Sequence, residues 1–135
     1  MITLTEQDFY PLAFAQMFFP HRFGSKIPEM HLDWLKLWNE RRLAIEAPAY
    51  FAKSTYWSFL KPIMTALETP KTEILLLSNT GTKAIDSLGK IKGEFESNEK
   101  LIGVYGDCRG EKWTEDLIVL KNGSSIMAKG NDYQI

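Results

Sequence analysis

The chain has 135 residues, 44% hydrophobic and 24% charged, a balance that fits one globular domain with its own core. Sixteen Lys and Arg against 17 Asp and Glu leave a formal net charge of −1, so bulk charge carries no nucleic-acid signal, although a local basic patch stays open. The single cysteine, Cys108, excludes an intrachain disulfide and makes a reducing compartment the simpler setting.

Glu6 and Asp8 precede the first apolar run without a basic leader, which argues against a signal peptide. The run Phe9 to Pro20 is too short to span a bilayer. It is expected to be a short packing helix through Phe9, Leu12, Ala13 and Met17, weakened by Pro11. Pro20 to Pro28 reads as loop. Pro28 suits the first turn of a second helix, with His31, Trp34, Leu35 and Trp38 on one face. Residues 1–40 thus form a helical lead-in, and Arg42 to Glu46 suggests a strand beginning the α/β part, residues 41–135.

After Lys53, the residues Trp57, Leu60, Met64 and Leu67 follow helical spacing, with Pro62 expected to kink or shorten the helix. Thr69-Pro70 marks a turn. Glu73 to Ser78 is an unbroken apolar run, expected to be a strand buried on both faces as in a parallel sheet. Two such strands around a helix make a βαβ unit. Thr80 is a candidate cap for a third helix whose inner stripe is Ala84, Leu88, Ile91 and Phe95, with Lys83, Asp86, Lys90, Lys92 and Glu94 on its solvated face. A short strand is expected at Leu101 to Tyr105. Asp116–Leu120 and Ser125–Lys129 flank Lys121-Asn122-Gly123, a hairpin signal.

Ala47-Pro48-Ala49-Tyr50-Phe51-Ala52-Lys53-Ser54-Thr55 lies between the expected strand and helix. Its spacing is that of a phosphate-binding loop, G-x-x-x-x-G-K-[ST], with alanine at both glycine positions. Such a loop needs inward N–H groups, a helix N-terminus behind them and one long cation over the phosphates. Lys53 would contact the β- and γ-phosphates of ATP. Ser54 would give its hydroxyl to Mg²⁺, and Thr55 would support that corner. Ala52 is tolerable only where φ is negative. The bland alternative is a strand-to-helix turn whose Lys53 and Ser54 are surface residues. Two histidines, His21 and His31, are too few for a metal site. His31 reads as a packing or capping residue. Cys108 has no nearby histidine and reads as an incidental thiol. The carboxylates are dispersed, and no pair has the context of a general acid and base, so catalytic residues are unassigned.

With the loop placed, the chain resembles the N-terminal ATPase region of phage terminase large subunits, the DNA-packaging motors of tailed phages. His31 with Leu32 to Trp38 resembles a helix ahead of that family's first strand. Ala44 to Pro48 followed by Phe51 to Thr55 resembles its phosphate loop. Leu75 to Thr80, then Ala84 and Ile91-Lys92, resembles its second strand and helix. Asn98, Leu101, Tyr105-Gly106, Trp113 and Asn122-Gly123 complete the order. The resemblance implies an α/β fold that is a partial P-loop NTPase, with a three-layer, mostly parallel sheet, an N-terminal helical segment and a C-terminal β-hairpin. It implies ATP and Mg²⁺ as cofactors, and Arg22, Phe23 and His31 beside the base. In the full-length motor it further implies homo-oligomerisation, duplex DNA, the terminase small subunit and the portal as partners, no membrane, and the host cytoplasm as setting.

Two departures stand out. Ala49 occupies a place where that family often has a basic residue. No apolar run ends in the Asp or Glu that Mg²⁺ and the attacking water need, since Leu75 to Ser78 leads to Asn79 and Ile118 to Leu120 leads to Lys121. The family's C-terminal nuclease is also missing, so the resemblance implies the first part of a larger protein. The alternatives are a fragment of another P-loop ATPase, helicase-like or recombinase-like, and a non-enzymatic α/β interaction module with a chance loop match.

Overall fold

A computed structural model of the chain describes residues 6–22 and 59–130. The expected second helix, the strand at 42–47 and the loop at 47–55 lie outside the described residues. In chain order the elements are α1 (Glu6–Phe18), α2 (Lys61–Glu68), β1 (Glu73–Ser78), α3 (Gly81–Ser97), α4 (Glu99–Tyr105), β2 (Arg109–Trp113), β3 (Leu117–Leu120) and β4 (Ser125–Gly130). They build an α/β structure around a four-stranded sheet of order β1-β4-β3-β2. The described sheet is mixed: β1 runs parallel to β4, and the β4-β3 and β3-β2 pairs are antiparallel. The expectation of a mostly parallel sheet is therefore met at one pair only. Hairpin connections allow antiparallel neighbours, whereas β1 and β4 need the long crossover that α3 begins.

The sheet presents its two faces unequally. Ile74, Leu76, Ile118, Leu120, Ile126 and Ala128 point into the core, where Ile118 and Ile126 are fully buried. Burying each such side chain is worth about 1.5–3 kcal/mol. Register aligns Leu75 with Met127 and Met127 with Leu117 on the other face. There Leu75 is 57% and Leu77 60% exposed. This corrects the expectation that β1 is buried on both faces. Among the described residues β1 is an edge strand, and period-2 alternation sends its odd-numbered leucines outward.

α3 forms as its stripe predicts, with Ala84, Leu88, Ile91 and Phe95 buried. The Thr80 hydroxyl accepts from the Lys83 N–H at 3.2 Å and caps it. At the other end Asn98 closes α3's last turn, its N–H donating to Glu94 O at 2.9 Å. Its side chain also accepts from Leu101 N–H at 3.0 Å, starting α4. That cap turns the expected strand at 101–105 into a helix, with Leu101 1% exposed and packed inside.

α1 is continuous through Pro11, but its inner face differs from the expected one. Pro11, Phe14, Ala15 and Phe18 are buried, whereas Ala13 and Met17 are exposed. Helical spacing admits either set, and the larger rings decide, since Phe14 and Phe18 pack on each other and on Tyr105. Pro62 does not end its helix. It occupies the first turn of α2, where its missing N–H costs nothing, and the backbone is already helical at Leu60. Phe59 and Leu60 form a wider, π-type turn before it.

The expected hairpin is present. Gly123 takes φ 89°, and its N–H donates to Leu120 O at 3.0 Å. A Cβ there would sit 3.1 Å from Lys71 Cγ. Asn122 Nδ2 donates to Ala66 O at 2.7 Å and Ser124 Oγ to Thr69 O at 2.9 Å, so the turn satisfies carbonyls at the end of α2. Buried Ser124 is thereby partnered.

Candidate functional site

The residues expected to hold nucleotide, Ala47, Pro48, Ala49, Tyr50, Phe51, Ala52, Lys53, Ser54 and Thr55, lie outside the described residues, as do Phe23, His31 and Trp57. What the structure does describe is a cluster of contacts around Phe59 and Glu94. Arg22 and Phe59, well separated in the chain, touch.

Phe59, 4% exposed, lies just ahead of α2. The Phe19 ring meets it edge-on, centroids 5.0 Å apart and planes at 74°. The Arg22 guanidinium carbon lies 4.6 Å from the Phe59 ring centroid, a cation–π contact. The same guanidinium donates from Nε to Glu94 Oε1 at 2.9 Å, and His21 Nε2 approaches that oxygen at 2.6 Å. Asn98 Nδ2 donates to Glu94 Oε2 at 2.9 Å and to Phe18 O at 2.6 Å. One carboxylate thus gathers donors from the turn after α1 and from the α3–α4 joint.

Glu94 is 6% exposed. Burial alone would raise its pKa, but the hydrogen bonds from His21, Arg22 and Asn98 outweigh it, and the net direction is down from 4.5. It is therefore an ionised structural acceptor rather than a general acid. Its burial overturns the expectation that it lies on α3's solvated face. The signal that could have found it is its position next to Ile91 and Phe95 on the inner stripe, four residues before Asn98. Beside it runs an open groove of about 510 Å³ lined by Phe18, His21, Glu94, Asn98 and Lys100.

A smaller cavity of about 190 Å³ lies at Tyr105, Asp107, Cys108 and Lys121. Burial and then the Asp107 charge push the Cys108 thiol up, so it is not primed as a nucleophile. Among the described residues no three or more His, Cys, Asp and Glu side chains come together to hold a metal. No described helix is long and apolar enough to cross a membrane. No family model matches the sequence, and no curated protein matches it.

Proposed function

We propose that the chain is the ATP-binding portion of a P-loop ATPase of the phage terminase large-subunit type. The observation that carries this reading is an order of elements. Downstream of the loop sequence the described elements include a helix at Lys61–Glu68, a strand at Glu73–Ser78 parallel to Ser125–Gly130, a Thr80-capped helix and the Asn122-Gly123 turn. The strand at Glu73–Ser78, the Thr80-capped helix and the Asn122-Gly123 turn support the reading. The finer fold, a three-layer P-loop sheet, belongs to this proposal.

In this reading residues 47–55 wrap the phosphates. Lys53 sets its charge against the β- and γ-phosphates, and Ser54 offers its hydroxyl to Mg²⁺. ATP supplies the transferable phosphoryl group. This chain's residues orient it and neutralise its charge through backbone N–H groups and the following helix N-terminus. Hydrolysis needs an acidic strand end that these 135 residues do not contain. The chain alone therefore binds nucleotide and turns over almost none. Translocation of duplex DNA, with the small subunit and portal in the host cytoplasm, belongs to an oligomer of complete subunits.

Thermal unfolding tests the binding. A ligand that binds only the folded state, at about 100 times its Kd, adds about 2.7 kcal/mol of stability. Mg²⁺-ATP should raise the Tm of the parent and leave Lys53→Ala unmoved. An equal rise in both would remove residues 47–55 from the site. The exposed Leu75 and Leu77 favour a second reading, a non-enzymatic α/β module that docks through its sheet. A parent Tm unmoved by nucleotide would favour it.

A further inference from the structure

Alternation and register set rows of side chains across the outward face of the sheet. Leu75, Met127 and Leu117 make a middle row that is wholly apolar. Glu73 lies in the row on one side of it, and Leu77 with Lys129 in the row on the other. Leu75 and Leu77 are both more than half exposed. We propose that this face docks on the same face of a second copy of the chain, the strands of the two copies running antiparallel about a two-fold axis along the middle row. The contact is separate from nucleotide binding.

The charge pattern selects this occupant and this order. A two-fold axis along the middle row lays Leu75, Met127 and Leu117 on their own counterparts and exchanges the outer rows. Glu73 of each copy then faces the row of the other that holds Lys129. The opposite-charge pairing is made twice, as an isologous contact requires. A two-fold axis along the strands would set each outer row on itself, acid with acid and base with base, which is unfavourable. The Lys129 ammonium has three donors, so it can take a carboxylate from the second copy beside the interaction it has within its own chain. Packed sheets stand about 10 Å apart, a gap that side chains of this length fill from both faces.

The far rim of the same sheet is built differently. β2, at the other end of the strand order, exposes Arg109, Glu111 and Lys112, and its register with β3 shifts between Arg109 and Trp113. Charges and broken register are how a strand resists association. β1 carries no charge from Ile74 to Leu77 and keeps one register with β4 throughout. The face is small beside a standard interface, which uses roughly 20–30 residues a side, so the dimer is weak and forms at high chain concentration.

Sedimentation velocity of the full 135-residue chain without nucleotide, from micromolar to submillimolar concentration, is the test. It compares the parent with the pair Leu75→Thr and Leu77→Thr, with Glu73→Lys, with Lys129→Glu, and with both charge reversals together. Threonine keeps the strand preference while removing apolar surface. The parent should rise with concentration from the mass of one chain toward that of two. The threonine pair should raise the dimer Kd at least tenfold, the equivalent of about 1.4 kcal/mol. Each single reversal should weaken the dimer several-fold, and the double reversal should restore it. A parent that stays at one chain throughout would overturn the proposal, as would growth past two chains or unchanged association in the threonine pair. A double reversal no tighter than the single ones would overturn the antiparallel order, and the proposal with it. Leu75 and Leu77 lie outside the core, so the threonine pair decides should urea unfolding show that a charge reversal does not fold.

Discussion

Two ion pairs of nearly equal length do different work in this molecule. Arg22 Nε lies 2.9 Å from Glu94 and Arg109 Nε lies 3.0 Å from Asp107. The first joins residues 72 apart in the chain and buries its carboxylate, at 8% side-chain exposure. The second joins residues two apart with both side chains about half exposed. Distance alone does not rank them. A buried carboxylate that loses its donors is left without water to replace the bond. An exposed pair exchanges one solvated partner for another. The first pair therefore sets how three segments meet, and the second only trims a local turn.

The largest test of this contrast is Glu94→Ala. It strips the shared acceptor from His21, Arg22 and Asn98 and should cost about 2–3 kcal/mol in urea unfolding. Arg22→Ala should cost less, about 1–2 kcal/mol, since the Arg22 side chain is a third exposed and His21 and Asn98 still hold Glu94. Asp107→Asn should leave the unfolding midpoint unchanged within error. A Glu94 variant as mild as the Asp107 variant would break the comparison.

Acid sharpens it. Glu94's pKa is lowered in the folded state. Its contribution is in place above its ordinary value of 4.5 and is lost as the pH falls through the lower folded value. Between neutral pH and that point the parent should lose more stability than Glu94→Gln, whose amide does not titrate. Asp107 is also depressed, to about 2, chiefly by the Arg109 side chain and backbone. Its carboxylate faces solvent and is screened there, so it should leave no visible step in the same profile.

The contrast also explains how much the sequence could say. The α3 stripe and its Thr80 cap were legible because period and cap sit within one local window. The Asn122-Gly123 turn was legible for the same reason. Glu94 was not, because its partners His21 and Arg22 lie 73 and 72 residues away. The inner face of α1 was misplaced because apolar residues occupy both candidate faces, and only contact with Tyr105 separates them. The run at 101–105 has strand-like composition, yet the Asn98 cap and the buried Leu101 favour helix. The leucines of β1 gave no alternation to read, so a one-sided edge strand resembled a doubly buried one. For the candidate site, the sequence supplied residue types and spacing at 47–55. The Arg22–Phe59 contact, between residues far apart in the chain, became visible only in three dimensions.

The central claim is that residues 47–55 hold the phosphates of a nucleotide. Isothermal titration of the parent chain with Mg²⁺-ATP, repeated with Lys53→Ala and with adenosine lacking phosphates, tests it most directly. The account predicts measurable heat for ATP with the parent, loss of at least tenfold in affinity for Lys53→Ala, and little heat with adenosine. Equal affinity for ATP in the parent and Lys53→Ala would contradict it.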